Sequence, residues 1–182
     1  MKKVALFLAN GFEETEALGT VDILRRANIT VLTVSITDDL KVTGAHNVTV
    51  IADKCFDEVN FSEIDLLVLP GGMPGSQHLN EHEGLKKQIE HFANTRKAIA
   101  AICAAPMVLG HLGLLDGKQA TCYPGFEKEM KGATATHEKV TIDGNIITGK
   151  GPGLMFDFAL AIVEKIAGPQ VRKEVTEGLL LV

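Results

Sequence analysis

Cys103 is the side chain with the clearest capacity for nucleophilic chemistry. It lies in the segment Ala100-Ala101-Ile102-Cys103-Ala104-Ala105-Pro106, where small residues permit a sharp turn from a strand into a helix. The free amides and dipole of a helix start favour an anion, so this position predicts a lowered thiol pKa and a nucleophilic thiolate. The amide of Ala104 could also donate to an oxyanion on a bound substrate. A buried structural cysteine is the alternative interpretation.

Three carboxyl groups, Glu13, Glu14 and Glu16, stand together at the predicted start of a helix. Acidic residues in a first turn complement the helix dipole, and we interpret Glu13 and Glu14 in this way. Glu16 lies further along, beside apolar Ala17. If Glu16 points into a cleft, burial raises its pKa and keeps it protonated, so that it can donate a hydrogen bond to a thiolate and carry protons.

Two glycine-rich segments suit either a tight turn or a close approach of the backbone to a ligand. Gly71 and Gly72 follow Pro70, and the second segment covers residues 149–153. The second segment lacks the Gly-Lys-Ser/Thr ending of a phosphate loop. We therefore interpret it as a turn that precedes the last long helix.

The sequence contains no recognisable pattern of metal ligands. No Cys-x-x-Cys pair is present, and His78 and His82, although four residues apart, lie in a segment where Asn80 and Gly84 weaken a helix. We predict a solvated histidine pair, no metal and no cofactor.

The elements that must position these residues alternate between strands and helices. Strands are predicted at residues 3–9, 29–36, 66–69 and 97–102, with a hairpin of 140–142 and 145–148 and an edge strand or hairpin within 41–52. Helices are predicted at residues 14–27, 83–94 and 154–167, with one beginning near 104–106 and a final helix or tail from 171.

This alternation predicts a mostly parallel sheet with helices on both faces. The loops that follow parallel strands meet at one edge of such a sheet, where ligands bind. We therefore expect the glutamate loop, Gly71 with Gly72, and Cys103 to lie together.

The composition is that of a soluble globular protein, with 46% hydrophobic and 23% charged residues. Its 182 residues predict a single domain, 1–182. The formal net charge is −5, so nucleic acid and anionic membranes, which need a basic face, are not expected partners. Three cysteines without regular spacing, Cys55, Cys103 and Cys122, argue against disulfides and favour a reducing, cytoplasmic compartment.

Two apolar stretches imitate membrane signals. Residues 4–9 follow two lysines, as in a signal peptide, but the run is short and glutamates follow at once. Residues 98–115 contain no Asp, Glu, Lys or Arg, yet Pro106, Gly110 and Gly113 interrupt them. A buried strand followed by a buried helix explains this stretch better than a transmembrane span.

Four ordered motifs make the chain similar to the ThiJ/PfpI superfamily, and within it to the Parkinsonism-associated protein deglycase (glyoxalase III-like) branch. The motifs are Gly11-Phe12-Glu13-Glu14-Thr15-Glu16, Leu69-Pro70-Gly71-Gly72, Ala100-Ala101-Ile102-Cys103-Ala104-Ala105-Pro106 and Gly151-Pro152-Gly153. The similarity runs through nearly the whole chain.

This resemblance implies a homodimer with a flavodoxin-like three-layer α/β sandwich of the class I glutamine amidotransferase-like type. It places the family's reactive cysteine on Cys103, its protonated glutamate on Glu16 and its oxyanion-type amides on Gly72 and Ala104. It implies a cysteine-dependent enzyme acting on small reactive aldehydes, either a glutathione-independent glyoxalase that converts methylglyoxal to lactate or a protein deglycase. A redox-sensing or chaperone-like stress protein, in which Cys103 is oxidised without turnover, is the alternative.

The chain departs from the family pattern in two places. Related intracellular cysteine peptidases carry a histidine directly after the cysteine, where this chain has Ala104, so peptidase activity is the least expected function. The deglycase branch often has a histidine at the place that matches Tyr123. Tyr123 could supply a hydroxyl as an auxiliary group, but the main acid–base work falls to Glu16.

Overall fold

A computed structural model of the chain describes residues 2–181 and places seven of their strands in one sheet between two layers of helices. The strands are β1 (Lys3–Leu8), β2 (Thr30–Ser35), β3 (Lys41–Thr43), β4 (Thr49–Ile51), β5 (Lys54–Cys55), β6 (Leu66–Leu69), β7 (Ala98–Ile102), β8 (Gln119–Ala120), β9 (Thr134–Ala135), β10 (Val140–Asp143) and β11 (Ile146–Gly149). The helices are α1 (Glu14–Arg26), α2 (Gly75–Glu81), α3 (Glu83–Asn94), α4 (Pro106–His111), α5 (Met155–Ala167) and α6 (Pro169–Gly178).

The strand order of the main sheet is β10-β11-β7-β6-β1-β2-β5. Every neighbouring pair in it is parallel except β10 and β11, so the predicted mostly parallel α/β sheet is confirmed. The chain runs from β1 to β2 on one side and later returns to place β6 on the other. The carboxyl ends of β1 and β6 therefore form the switch point at which such folds bind ligands.

Both faces of the sheet are buried, which explains why its central strands are apolar throughout. Along β1, Val4, Leu6 and Leu8 pack with α1, α5 and α6, whereas Ala5 and Phe7 pack with α2, α3 and α4. Each fully buried large apolar side chain contributes about 1.5–3 kcal/mol to this packing. None of the helices within residues 2–181 is long and apolar enough to span a membrane.

Most predicted elements are confirmed to within two residues. Residues 41–52 form the separate hairpin β3–β4, and β5 is the edge strand of the main sheet beyond β2. Helix α2 and the short pair β8–β9 were not predicted. The pattern of α2 is hidden by Gly75, whose backbone packs so closely on Gly11 that a Cβ would lie 2.7 Å from the Gly11 carbonyl oxygen.

Candidate active site

The loops that follow β1, β6 and β7 meet at the carboxyl edge of the sheet, as the topology predicted. The Glu13 amide donates a hydrogen bond of 2.9 Å to the Gly71 carbonyl. The Gly71 amide in turn donates a hydrogen bond of 2.8 Å to Oε2 of Glu16. A Cβ built on Gly71 would lie only 2.5 Å from Cβ of Cys103. Glu16 and Cys103 are therefore brought together around the backbone of Gly71.

Cys103 has a left-handed backbone, with φ of 64°, and its side chain is buried. This conformation is costly for a residue with a Cβ, and such residues are typical of functional sites. Two hydrogen bonds of 2.9 Å hold it: the Cys103 amide donates to the Gly149 carbonyl, and the Tyr123 amide donates to the Cys103 carbonyl. Helix α4 begins three residues later, at Pro106. The sulfur thus lies in the turn before the helix.

The glycines of the β6 loop are required by this geometry. A side chain on Gly71 would collide with Cys103 Cβ, with Glu16 Oε2 and with the Ile102 carbonyl. Gly72 has φ of 90°, in the left-handed region that favours glycine. The sequence pattern pointed to Gly71 and Gly72, but nothing in it identified the Gly71 amide as the donor to Glu16 or the Gly149 carbonyl as the acceptor from Cys103.

Glu16 is fully buried on the inner face of α1. Burial raises its pKa to about 7, although hydrogen bonds with the Cys103 thiol and the Gly71 amide act in the opposite direction. Its second oxygen, Oε1, has no hydrogen-bond partner within the described residues. Near neutral pH the Glu16 carboxyl is thus close to its titration midpoint, in contact with the sulfur.

The sulfur of Cys103 accepts hydrogen bonds from the amides of Gly72 and Ala104, and both lower its pKa. Burial and the ionised Glu16 carboxylate raise it by more, so the net shift is upward. The expectation of a lowered thiol pKa, drawn from the helix start alone, is wrong, because burial of the thiol is the largest influence on its pKa and the Glu16 carboxylate adds to it. The two groups titrate as a pair, and the proton that leaves the sulfur can be held by Glu16.

Glu13 and Glu14 have different partners. Glu13 caps α1, because its Oε2 accepts a hydrogen bond of 2.6 Å from the Glu16 amide. Glu14 lies in the first turn but binds the β3–β4 turn: Oε1 accepts from the His46 amide at 2.7 Å, and Oε2 lies 3.0 Å from His46 Nδ1. The ligand atoms of these three residues lie within 4.8 Å of one another, a spacing that a metal ion could bridge. The oxygens named here already accept hydrogen bonds from the protein, so we assign no metal to them.

Tyr123 contacts the site through its backbone rather than its hydroxyl. Its ring lies beside Gly151 and is 46% exposed. Within residues 2–181 the hydroxyl has no hydrogen bond. An auxiliary role for this hydroxyl therefore stays a prediction.

The two histidines of the His78–His82 pair are half-buried and belong to separate hydrogen bonds. His78 Nδ1 lies 2.9 Å from the Asn10 carbonyl, and His82 Nδ1 accepts from the Leu85 amide at the start of α3. The interpretation as a solvated pair is corrected accordingly. Because α2 ends at Glu81, the spacing of four does not place both rings on one helical face.

A cavity of about 350 Å³ lies elsewhere, where the carboxyl end of α1 meets α6. Its walls include Ala27 and Val175 but neither Cys103 nor Glu16. This cavity is therefore separate from the reactive pair. Only 8% of Cys103 is exposed.

Comparison with known proteins supports these assignments of fold and family. The model of the DJ-1/PfpI family matches residues 2–165. Protein DJ-1 homolog B of Arabidopsis thaliana is 38% identical over 182 residues, which make up 99% of this chain and 42% of that relative, so the chain spans less than half of it. A deglycase of Pyrococcus abyssi is 35% identical over 159 residues, 85% of this chain and 93% of that protein.

A solved structure shows the same architecture. The crystal structure of a mutant DJ-1 superfamily protein from Salmonella typhimurium matches with a TM-score of 0.94 at 36% identity, covering 99% of this chain and 98% of that one. The flavodoxin-like α/β fold implied by the sequence motifs is thereby confirmed.

Proposed function

Because the chain belongs to the DJ-1/PfpI family, we propose that it is a cysteine-dependent enzyme acting on small reactive aldehydes, of the glutathione-independent glyoxalase or deglycase type. The observation that carries this proposal is the contact between the Cys103 sulfur and the buried Glu16 carboxyl, whose pKa lies at about 7. A nucleophile beside a group that titrates at neutral pH has what aldehyde addition and proton transfer require. The named deglycase among the relatives is consistent with this chemistry.

The proposed reaction balances without an oxidant or a cofactor. The Cys103 thiolate adds to the aldehyde carbon of a 2-oxoaldehyde such as methylglyoxal, and Glu16 gives its proton to the resulting oxygen. The Glu16 carboxylate then takes the hydrogen of that carbon as a proton and returns it to the neighbouring carbonyl carbon, while the proton of the first carbon's hydroxyl passes to the oxygen of the second. This leaves a lactyl thioester on Cys103 beside an ionised Glu16. Glu16 takes a proton from the attacking water, the Cys103 thiolate leaves, and lactic acid is released, which restores the thiolate beside the protonated Glu16. The net reaction adds one water to methylglyoxal.

We assign the amides of Gly72 and Ala104 to electrostatic stabilisation. In the resting site both donate to the sulfur. Before the attack, their hydrogen bonds favour the thiolate. When the thiolate adds to the aldehyde, negative charge moves to the carbonyl oxygen, and the same two amides lie near that oxygen and can stabilise it. Because they are backbone groups in fixed turns, they need no reorganisation during the reaction.

The test is lactate formation from methylglyoxal by purified protein in the absence of glutathione. We expect turnover by the wild type and none by Cys103→Ser. Cys55→Ser is the matched control, because Cys55 lies in the short edge strand β5, away from the pair, and should retain activity. Equal activity of wild type and Cys103→Ser would contradict the proposal.

A redox role is the second candidate, favoured by the same two amides and the carboxyl around the sulfur. Peroxide would oxidise the thiolate to a sulfenate with loss of water, and a second peroxide would give a sulfinate whose oxygens could accept hydrogen bonds from these donors. Mass spectrometry after peroxide treatment, without any methylglyoxal turnover, would favour this function or a chaperone-like one. A peptidase is not proposed, since Ala104 stands where related peptidases have a histidine.

We also propose a single-domain, cytoplasmic homodimer. On α1, Val21 and Leu24 are buried inside the protomer, whereas Leu18 is 38% exposed. The three cysteines are free, which suits a reducing compartment. Sedimentation at micromolar concentration should give twice the chain mass of 19.5 kDa, and a clean monomer would contradict the dimer.

A further inference from the structure

The inner face of α1 carries two polar side chains among apolar ones. Ala17, Val21, Ile23 and Leu24 line this face together with Glu16 and Thr20, and both polar residues are fully buried. Within residues 2–181, three buried side-chain oxygens lack a partner: Glu16 Oε1, Thr20 Oγ1 and Ser76 Oγ. Two of the three thus belong to one stripe of one helix.

Glu16 and Thr20 are four residues apart, so they are neighbours on the helix surface, with Cβ atoms about 5–6 Å apart. Side chains in a helix lean towards its amino end, so a residue at position 20 leans over the turn that carries residue 16. The two oxygens form no direct hydrogen bond with each other, but one bridging water can span a separation of this size. A buried hydroxyl without a partner costs about 1–3 kcal/mol, a strong reason for such a partner to exist.

We propose that Thr20 is a positioning residue for Glu16, its hydroxyl donating a hydrogen bond to the carboxylate through one bridging water. Oε2 is already taken by the Gly71 amide, so Thr20 acts at Oε1. Its hydroxyl thereby favours the ionised carboxyl over the protonated one. Thr20 touches neither the substrate nor the sulfur. This inference depends on the proposed partnership of Glu16 and Cys103 but not on turnover of an aldehyde.

The proposed hydrogen bond affects how Glu16 and Cys103 share one proton. When the doubly protonated pair loses a proton, the result is either a carboxylate beside a thiol or a thiolate beside a carboxyl. A donor to the carboxylate favours the first form and so limits the thiolate. The other titratable group acting on Glu16 is Glu13 on the preceding turn. The β6 loop contributes only the Gly71 amide, and the β3–β4 turn contributes His46, whose ring pairs with Glu14.

The test is the rate of Cys103 alkylation by iodoacetamide between pH 5 and 9. Thr20→Val removes the hydroxyl and keeps the branched shape. We expect its plateau rate above neutral pH to rise by up to about tenfold, with the midpoint moving up by up to about one pH unit, while the rates at low pH superimpose on the wild type. The low-pH rates stay equal because the doubly protonated state contains no carboxylate for Thr20 to stabilise.

Two further variants keep the proposal falsifiable. Thr20→Ser retains a hydroxyl and should restore the wild-type profile, and Thr20→Ala should repeat the Thr20→Val profile. Thr33→Val is the matched control, because Thr33 is a buried threonine whose hydroxyl already bonds Asp53, away from the pair. A Thr20→Val profile equal to the wild type overturns the proposal. The proposal is also overturned if Thr20→Val changes the alkylation rate by the same factor at every pH and Thr20→Ser shows the same change. Neither result bears on methylglyoxal turnover, which is measured separately.

Discussion

The outer and inner sides of the first turn of α1 carry the same residue type with opposite behaviour. Glu14 and Glu16 are two residues apart, so they face away from each other. On the outer side, burial opposes ionisation of Glu14, but hydrogen bonds from His46 outweigh it and lower the pKa. On the inner side, burial outweighs the hydrogen bonds and raises the pKa of Glu16 to about 7.

The helix dipole cannot account for this difference, because it acts on both carboxyls with the same sign and is worth only about 0.3–1 kcal/mol. The neighbours of each carboxyl decide the outcome. Glu14 has three amide and imidazole partners on the hairpin turn, whereas Glu16 has one amide and a thiol. The position of a carboxyl in the first turn of a helix therefore does not predict the direction of its pKa shift until the element that covers it is known.

The largest expected difference between the inner carboxyl, Glu16, and the outer carboxyl, Glu14, is in the effect of their substitution on aldehyde turnover. Glu16→Gln keeps the size of the side chain and removes proton transfer, so we expect aldehyde turnover to fall by about 10²–10⁴-fold. Cys103 should still form a covalent adduct with iodoacetamide, detected by mass spectrometry. Glu14→Gln is the matched control and should change turnover by less than about tenfold. Full activity of the Glu16→Gln variant would show that Glu16 is not the acid–base group.

A second prediction concerns the glycine that joins the pair. Gly71→Ala places a methyl group 2.5 Å from Cys103 Cβ and 2.6 Å from Glu16 Oε2, so both must move. We expect turnover to fall at least about tenfold and the free energy of unfolding to fall by about 1–3 kcal/mol. Gly153→Ala is the control, because nothing lies within 4 Å of its added Cβ. If Gly71→Ala behaved like Gly153→Ala, the close packing of the three loops would be wrong.

The convergence of Cys103, Glu16 and Gly72 could be predicted because parallel strands send their following loops to one edge. Apolar runs bounded by Gly, Pro and Asn were enough to locate the central strands. The direction of the Cys103 pKa shift could not be predicted, since it depends first on how deeply the thiol is buried and then on the Glu16 carboxylate beside it. The bond between Glu14 and His46 was equally hidden, because 32 residues separate them and no periodic pattern links a helix to a hairpin turn.

The two sides should also respond oppositely to pH. Glu16 has a folded pKa raised above its ordinary value of 4.5, so its contribution to stability is complete below about 4.5 and is lost as pH rises through about 7. Urea unfolding between pH 5 and 8 should show wild-type stability falling relative to Glu16→Gln. A constant difference between the two proteins over this range would mean that Glu16 titrates normally.

The smallest expected effect is the pH-dependent stability that Glu14 provides, which changes with pH in the direction opposite to that of Glu16. Its folded pKa is lowered, so its contribution is present above the ordinary value of 4.5 and is lost as pH falls through the folded pKa. The advantage of wild type over Glu14→Gln should therefore grow as pH rises from about 3 to 6. It should stay near or below about 1 kcal/mol, because the His46 side chain is 74% exposed, although that of Glu14 is only 11% exposed. His46→Ala keeps the amide that bonds Oε1 and removes the ring near Oε2, so it should lose only part of that advantage.

Glu83→Gln, which removes an exposed pair with Lys86, is the control for a carboxyl outside the site. If Glu14→Gln became less stable than wild type as pH fell, instead of converging with it, the two sides of this turn would share one mechanism after all.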